Sequence, residues 1–250
     1  MLVNTDKKQR FWEIDALRGI AILMMITYHV IFDLNYFKFT STDLNSSPLL
    51  VFLYPVGTLF LLLVGVSLTL SYNRVKNTLT TTQLQIKYFK RGASIFTLGL
   101  LITVVTWVYP HDGYIVFGVL HCIGLSILLA YPFLTTRLSA FLVGIFCISI
   151  GVALRFLGTV DFPWLLWLGF VPTSFYTLDY FPLLPWYGVV LIGIFLGNTL
   201  YKNNTRKFVL KDYSHNLVSR LLCFLGRYSL LIYLLHQLLI VGLLYVFFLR

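Results

Sequence analysis

Few side chains in this sequence can ionise, and several that can lie where water is scarcest. Arg18 and His29 fall within one long apolar run, His121 within a second and His236 within a third. Burying an ionisable group in such a run is costly, so each marks a functional position facing the interior of a helix bundle. Residues 18 and 29 return to within about 20° of one helix face, roughly 16 Å apart along the axis. Asp15 lies a turn before Arg18 and Asp33 a turn after His29. One face of a single helix therefore reads Asp15, Arg18, Ile22, Met25, His29, Asp33. This stripe suggests a wet cavity or tunnel entering from one end of the helix.

The chemistry these groups could do is proton transfer. His29 with Asp33 at i+4 can form a carboxylate–imidazole pair, in which the acid orients the ring and favours its protonated form, the arrangement general-base catalysis uses. The plainer reading is a histidine hydrogen-bonded within the bundle and an aspartate at the interface. Arg18 can hold an anion, or it can snorkel to the headgroups paired with Asp15. His121 and His236 can each bridge two helices. At comparable depth on different helices, they can also converge with His29 on one catalytic site. A three-histidine metal site usually takes a close pair of ligands from one helix, and that pair is missing, so no metal is expected.

The elements that must position these groups are membrane spans. Of 250 residues, 58% are hydrophobic and 11% charged, with a mean hydropathy of +0.84. A soluble domain carries about 25% charged residues, so the excess apolar surface must face lipid. The expected fold is an all-α polytopic bundle forming one domain over 1–250. Its seven spans are near 16–36, 50–71, 92–110, 114–132, 138–158, 184–201 and 228–249. An eighth apolar stretch, Phe162 to Val171, is too short to cross and is bounded by prolines, so it reads as a re-entrant or interfacial piece; counting it as an eighth span would flip the C-terminus. The run after the basic N-terminus has no cleavage site and is read as retained. The three cysteines show no metal or disulfide spacing.

With the N-terminus cytoplasmic, most Lys and Arg fall on that side, as the positive-inside rule requires. The net charge of +10 is thus a matter of topology, and no folded basic surface remains for nucleic acid. Two long basic cytoplasmic loops are expected, at 72–91 and 202–227. Lys90, Arg91 and Arg227 in them, with Arg18, are candidate contacts for a phosphate-bearing cofactor. Leu210 to Leu225 reads as an amphipathic helix, either lying on anionic lipid or presenting such a surface. The outer loop 159–184 suits a lid or acceptor-binding surface, with Arg155, Asp179 and Trp186 as candidates. Gly193 and Gly197 form a small-residue pair, a weak sign of a homodimer.

Four segments carry a family resemblance. They are Glu13 through Ile22 followed by Tyr28-His29; Phe117-Gly118-Val119-Leu120-His121; Asp179 through Trp186; and Gly226 through Leu230 with His236-Gln237. In this order they resemble the catalytic domain of heparan-alpha-glucosaminide N-acetyltransferase, in its prokaryotic relatives. The ten residues between Arg18 and His29 also resemble the arginine–histidine motif of the wider membrane acyltransferases. The resemblance implies a cell-membrane acetyltransferase moving acetyl from cytosolic acetyl-CoA to an extracytoplasmic sugar or amino-sugar acceptor, with His29 as base or acetyl carrier. One departure is Tyr36 to Thr40, which has no histidine where the lysosomal members place theirs. A small-solute transporter using the same stripe is the alternative, although no inverted repeat is evident.

Overall fold

The computed structural model describes residues 10–41, 47–201 and 205–248, with 47–54 and 248 described by backbone alone. Lys7, Lys8, Asp43, Lys202 and Arg250, which enter the charge argument, lie outside the described residues. Among the described residues the fold is all-helical: α1 Trp12–Tyr36, α2 Ser47–Val75, α3 Thr81–Val108, α4 Val119–Ala130, α5 Arg137–Phe156, α6 Leu183–Leu200, α7 Leu217–Arg227 and α8 Ser229–Phe248. Six of these helices, all but α4 and α7, are long and apolar enough to cross a membrane. The protein is therefore a multi-pass membrane protein.

Of the two expected basic loops, 72–91 is mostly helix, and 202–227 carries α7 at Leu217–Arg227 where a helix over Leu210 to Leu225 was expected. Between α2 and α3 only residues 76–80 remain, because Thr80 and Gln83 form a capping box. The Thr80 hydroxyl accepts from Gln83 N–H at 3.3 Å, and Gln83 Oε1 accepts from Thr80 N–H at 2.9 Å. Such a box satisfies two amide groups that a helix start leaves orphaned, so α3 begins a full three turns before its apolar stretch. At 28 residues it is about 42 Å long and overshoots a hydrocarbon core of about 30 Å. The segment 162–171 forms no span. A 3-10 turn at Leu166–Leu168 and a single β-bridge between Val160 and Pro172 fold it into a compact loop.

The helices cluster into two compact units: Met1–Leu63 with Val209–Arg250, and Val64–Phe208. In the second unit α5 packs on α6, where Gly144 and Gly188 approach each other's backbone. Gly197 lies against Thr69 and Gly193 lies beside Gly65, so the small-residue pair of α6 is used within the chain, against α2. Side chains tie the helices further: Tyr187 donates to the Leu129 carbonyl at 3.0 Å and Asn198 to that of Leu134 at 3.1 Å.

In the first unit α7 and α8 pack on α1. A Cβ on Gly19 would overlap the Leu222 carbonyl, and one on Gly226 would overlap the Asp15 carbonyl. Two helices come this close only where both faces lack side chains. Further along, Ile22, Met25 and Val56 form a dry cluster with Met24, Ile26, Phe60, Ile232 and Tyr233 around it. Arg227 thus meets α1 at Asp15, and Gln237 meets it at Asp33. Hence α8 runs parallel to α1.

That parallel run fixes the number of crossings. Two spans pointing the same way need an odd number of crossings between them. The five are α2, α3, α5, α6 and the shorter apolar helix Val119–Phe133, formed by α4 with the 3-10 turn that extends it. Seven spans result. Reporter fusions at the two termini are expected to read opposite sides of the membrane, and the same side for both would exclude seven. Substituting Gly226→Val is expected to force α7 from α1 and lower thermal stability in detergent by about 1–3 kcal/mol.

Candidate functional site

The site of the first unit lies where α1 meets α8. His29 and His236 face each other with ring centroids 4.6 Å apart and planes inclined at 63°. Tyr28 and Tyr233 flank them edge-on or tilted, each 5.5 Å from its histidine partner. His236 is buried, and its Nδ1 is 2.6 Å from the Tyr233 carbonyl. A carbonyl can only accept, so the proton sits on Nδ1 and Nε2 keeps its lone pair. That Nε2, His29 Nδ1 and Gln237 Oε1 are all buried with no hydrogen-bond partner among the described residues. Three unpaired polar atoms on facing helix turns are rare in a settled interior.

Asp33 is buried too, but its carboxylate does not hold His29. Both oxygens accept from Gln237 Nε2, at 2.8 and 2.9 Å. The i+4 spacing offered His29 as the partner; α8 supplied a better-aimed amide. In this way Asp33 acts through α8, locking the turn that carries His236. Gln237 is the residue sequence reasoning missed, although an amide inside a 20-residue apolar helix was a signal of the same kind as the histidines.

At the other end of the stripe, Asp15 draws two arginines together. Arg18 Nη1 lies 3.3 Å from Oδ1, and Arg227 Nε lies 3.5 Å from Oδ2. The tertiary fold therefore joins two of the residues expected to hold a phosphate-bearing cofactor. Between this cluster and the histidines the stripe is not a wet tunnel. Ile22 and Met25 share its face and close it in the dry cluster with Val56.

The second unit holds the remaining candidates. His121 is buried and both ring nitrogens are engaged. Gly118 N–H donates to Nδ1 at 3.2 Å, which leaves the proton on Nε2, directed at Thr103 Oγ1 at 3.3 Å. The Thr103 hydroxyl in turn donates to the Ile115 carbonyl at 2.7 Å. No lone pair of this ring is left for a proton, so His121 caps the start of α4. Asp179 caps the same helix, its Oδ2 accepting from Val119 N–H at 3.0 Å. Leu178 N–H to the Gly113 carbonyl and Phe181 N–H to that of Phe117 stitch the outer loop to this turn.

Trp186 stacks obliquely on Phe181 at 4.9 Å, and Arg155 is exposed in the last turn of α5. Lys90 lies exposed on α3 beside Phe89 and Ser94, while Arg91 follows beside Tyr88. Among the described residues no group of three or more His, Cys, Asp or Glu is arranged to hold a metal ion.

The heparan-alpha-glucosaminide N-acetyltransferase catalytic family matches residues 10–238. The match begins at Arg10 and ends just past Gln237, so it takes in both arginines of the Asp15 cluster and both facing histidines. The chain belongs to this family. No curated protein and no solved structure matches it. Membership makes the protein a membrane acetyltransferase by family, and the four segments of resemblance now have places in the fold. Two of them, around Asp15–His29 and Gly226–Gln237, meet at the α1–α8 site. The other two, around His121 and Asp179, meet at the N-terminus of α4.

Burial pushes the Asp179 carboxyl up to about 6, and the hydrogen bond from Val119 only partly offsets this. The folded chain therefore holds this proton more tightly than the unfolded one, whose value is 3.8. Stability from this group is greatest below that value and is lost as pH rises through about 6. Relative to Asp179→Asn, the wild-type melting temperature is expected to fall across this window and to level off above it. The difference is on the order of 3 kcal/mol, and detergent melts at several pH values measure it.

Proposed function

We propose that the protein transfers an acetyl group from cytosolic acetyl-CoA to a sugar or amino-sugar acceptor outside the cell membrane, with His29 and His236 handling the proton. The observation that carries this reading is the facing pair of imidazoles, with unpartnered buried nitrogens, on the two matched segments. Acetyl-CoA is the donor substrate, and its phosphates would be met by Arg18 and Arg227, already gathered at Asp15. Lys90 and Arg91 on α3 are further cations for the same role. The thioester arm would have to part the Ile22–Met25–Val56 cluster, where the unbranched side chains of Met24 and Met25 can repack.

In the transfer, an imidazole lone pair removes the proton from the acceptor hydroxyl or amine as its oxygen or nitrogen attacks the thioester carbonyl. The tetrahedral centre then collapses with loss of the CoA thiolate, which takes the proton back to leave as a thiol. His236 Nε2 is held as a lone pair by the Nδ1–H bond to Tyr233. It can accept the proton directly or receive it from His29. Asp33, bonded to Gln237, is a positioning residue for this pair, and His121 is a positioning residue for α4. Arg155, Asp179 and Trp186 remain the proposed acceptor-side residues.

The test is transfer of labelled acetyl from acetyl-CoA to a panel of amino sugars by purified protein. His29→Ala is expected to lower the rate by about 10²–10⁴, and His236→Ala by a comparable factor. Full transfer by His29→Ala would sink the mechanism. Substrate-dependent uptake into vesicles without acetyl-CoA would favour a transporter instead. For Gln237→Leu, which leaves Asp33 without its amide, a tenfold or greater loss with the thermal melt retained would mark positioning.

A further inference from the structure

Helix α7 has two faces, and among the described residues only one is packed against another helix. Leu222, Cys223 and Gly226 turn towards α1, where the Cys223 thiol donates to the Trp12 carbonyl at 3.2 Å. The other face carries Leu217, Val218, Leu221 and Phe224, each between 57% and 69% exposed. Spacings of i, i+1, i+4 and i+7 place them on a single stripe.

Two observations say what covers this stripe. The first is depth. Helix α7 ends at Arg227 and α8 starts at Ser229, so Tyr228 alone joins them. Because α8 is a span and α7, at 11 residues, is only about 16 Å long, α7 must lie at the level where α8 enters the bilayer. The second is charge. Exposed Lys211 and Arg220 accompany the stripe, while Arg227 at its end is held by Asp15; Asp212, next to Lys211 in the chain, accepts the Ser214 N–H at 2.9 Å. An apolar face edged by cations, on the side the lysines and arginines mark as cytoplasmic, complements an anionic lipid surface.

We propose that α7 is an in-plane anchor, its Leu217–Phe224 stripe seated at the headgroup–acyl boundary and Arg220 and Lys211 holding anionic phospholipid headgroups. Its other face is locked to Asp15 through Gly226 and Arg227, so the lipid surface also sets the height of that ion-pair cluster. The inference does not depend on the chemistry at His29.

The test uses the full chain carrying Leu221→Trp or Phe224→Trp, both at exposed positions that leave the α1 contact intact. The chain is reconstituted in phosphatidylcholine with and without phosphatidylglycerol. The added emission is expected to be quenched at least twofold by lipids brominated near the headgroup and little by acrylamide. Acrylamide quenching with no effect of brominated lipid would place the stripe in water and overturn the proposal. So would protection that vanishes on dilution of a dimer, since a second copy would then be the cover. Native mass spectra of the wild type are expected to retain phosphatidylglycerol over phosphatidylcholine, and Arg220→Gln with Lys211→Gln to lose that preference several-fold. If inorganic phosphate displaces the lipid, the site is one for a soluble anion and the lipid assignment fails.

Discussion

The approach of Gly226 to the Asp15 carbonyl governs how the first unit is built. With no side chain between them, the end of α7 rests on the backbone of α1. Since α8 begins only one residue after α7, its starting point and direction are then constrained. The dry cluster around Ile22 and Met25 holds the next turns of α8 in step with α1. Four residues on from Met25 is His29, and four on from Ile232 is His236. The facing imidazoles are therefore a consequence of register, set by two glycines at the other end of the helices. The same parallel run demands an odd number of crossings and makes the short α4 a span.

Polar groups inside the two units are treated in opposite ways. In the second unit the ring of His121 has one nitrogen accepting and the other donating, and the Thr103 hydroxyl passes the chain on to a carbonyl. Such a network is complete, and completeness suits a joint between loop and helix. In the first unit the ring of His236 has one nitrogen committed and the other idle, beside a second imidazole with an idle nitrogen. Leaving buried polar atoms unpaired costs free energy, and that cost makes sense where a passing substrate supplies the missing partner. The contrast separates two histidines that look alike in their own apolar runs.

Composition alone made the chain a membrane protein, because its 11% charged residues cannot cover a soluble surface. Apolar length placed the spans, and the rarity of charge within them picked out Arg18, His29, His121 and His236. Local spacing correctly put Asp15 beside Arg18, since residues three apart on a helix are neighbours by geometry. Spacing was less informative about Asp33. A residue at i+4 is only one of the partners a carboxylate can choose, and the alternative, Gln237, comes from 204 positions away.

What the sequence by itself determined follows from energies that act on one residue or one helix: burial, charge and helical periodicity. The tertiary structure alone decided that the polar stripe of α1 closes over Ile22 and Met25. It also decided that Arg227 joins Arg18 at Asp15, and which histidine keeps a lone pair. These depend on where a second helix lands, and that landing is set by steric fit at Gly19 and Gly226, a property of pairs of surfaces that no single segment carries.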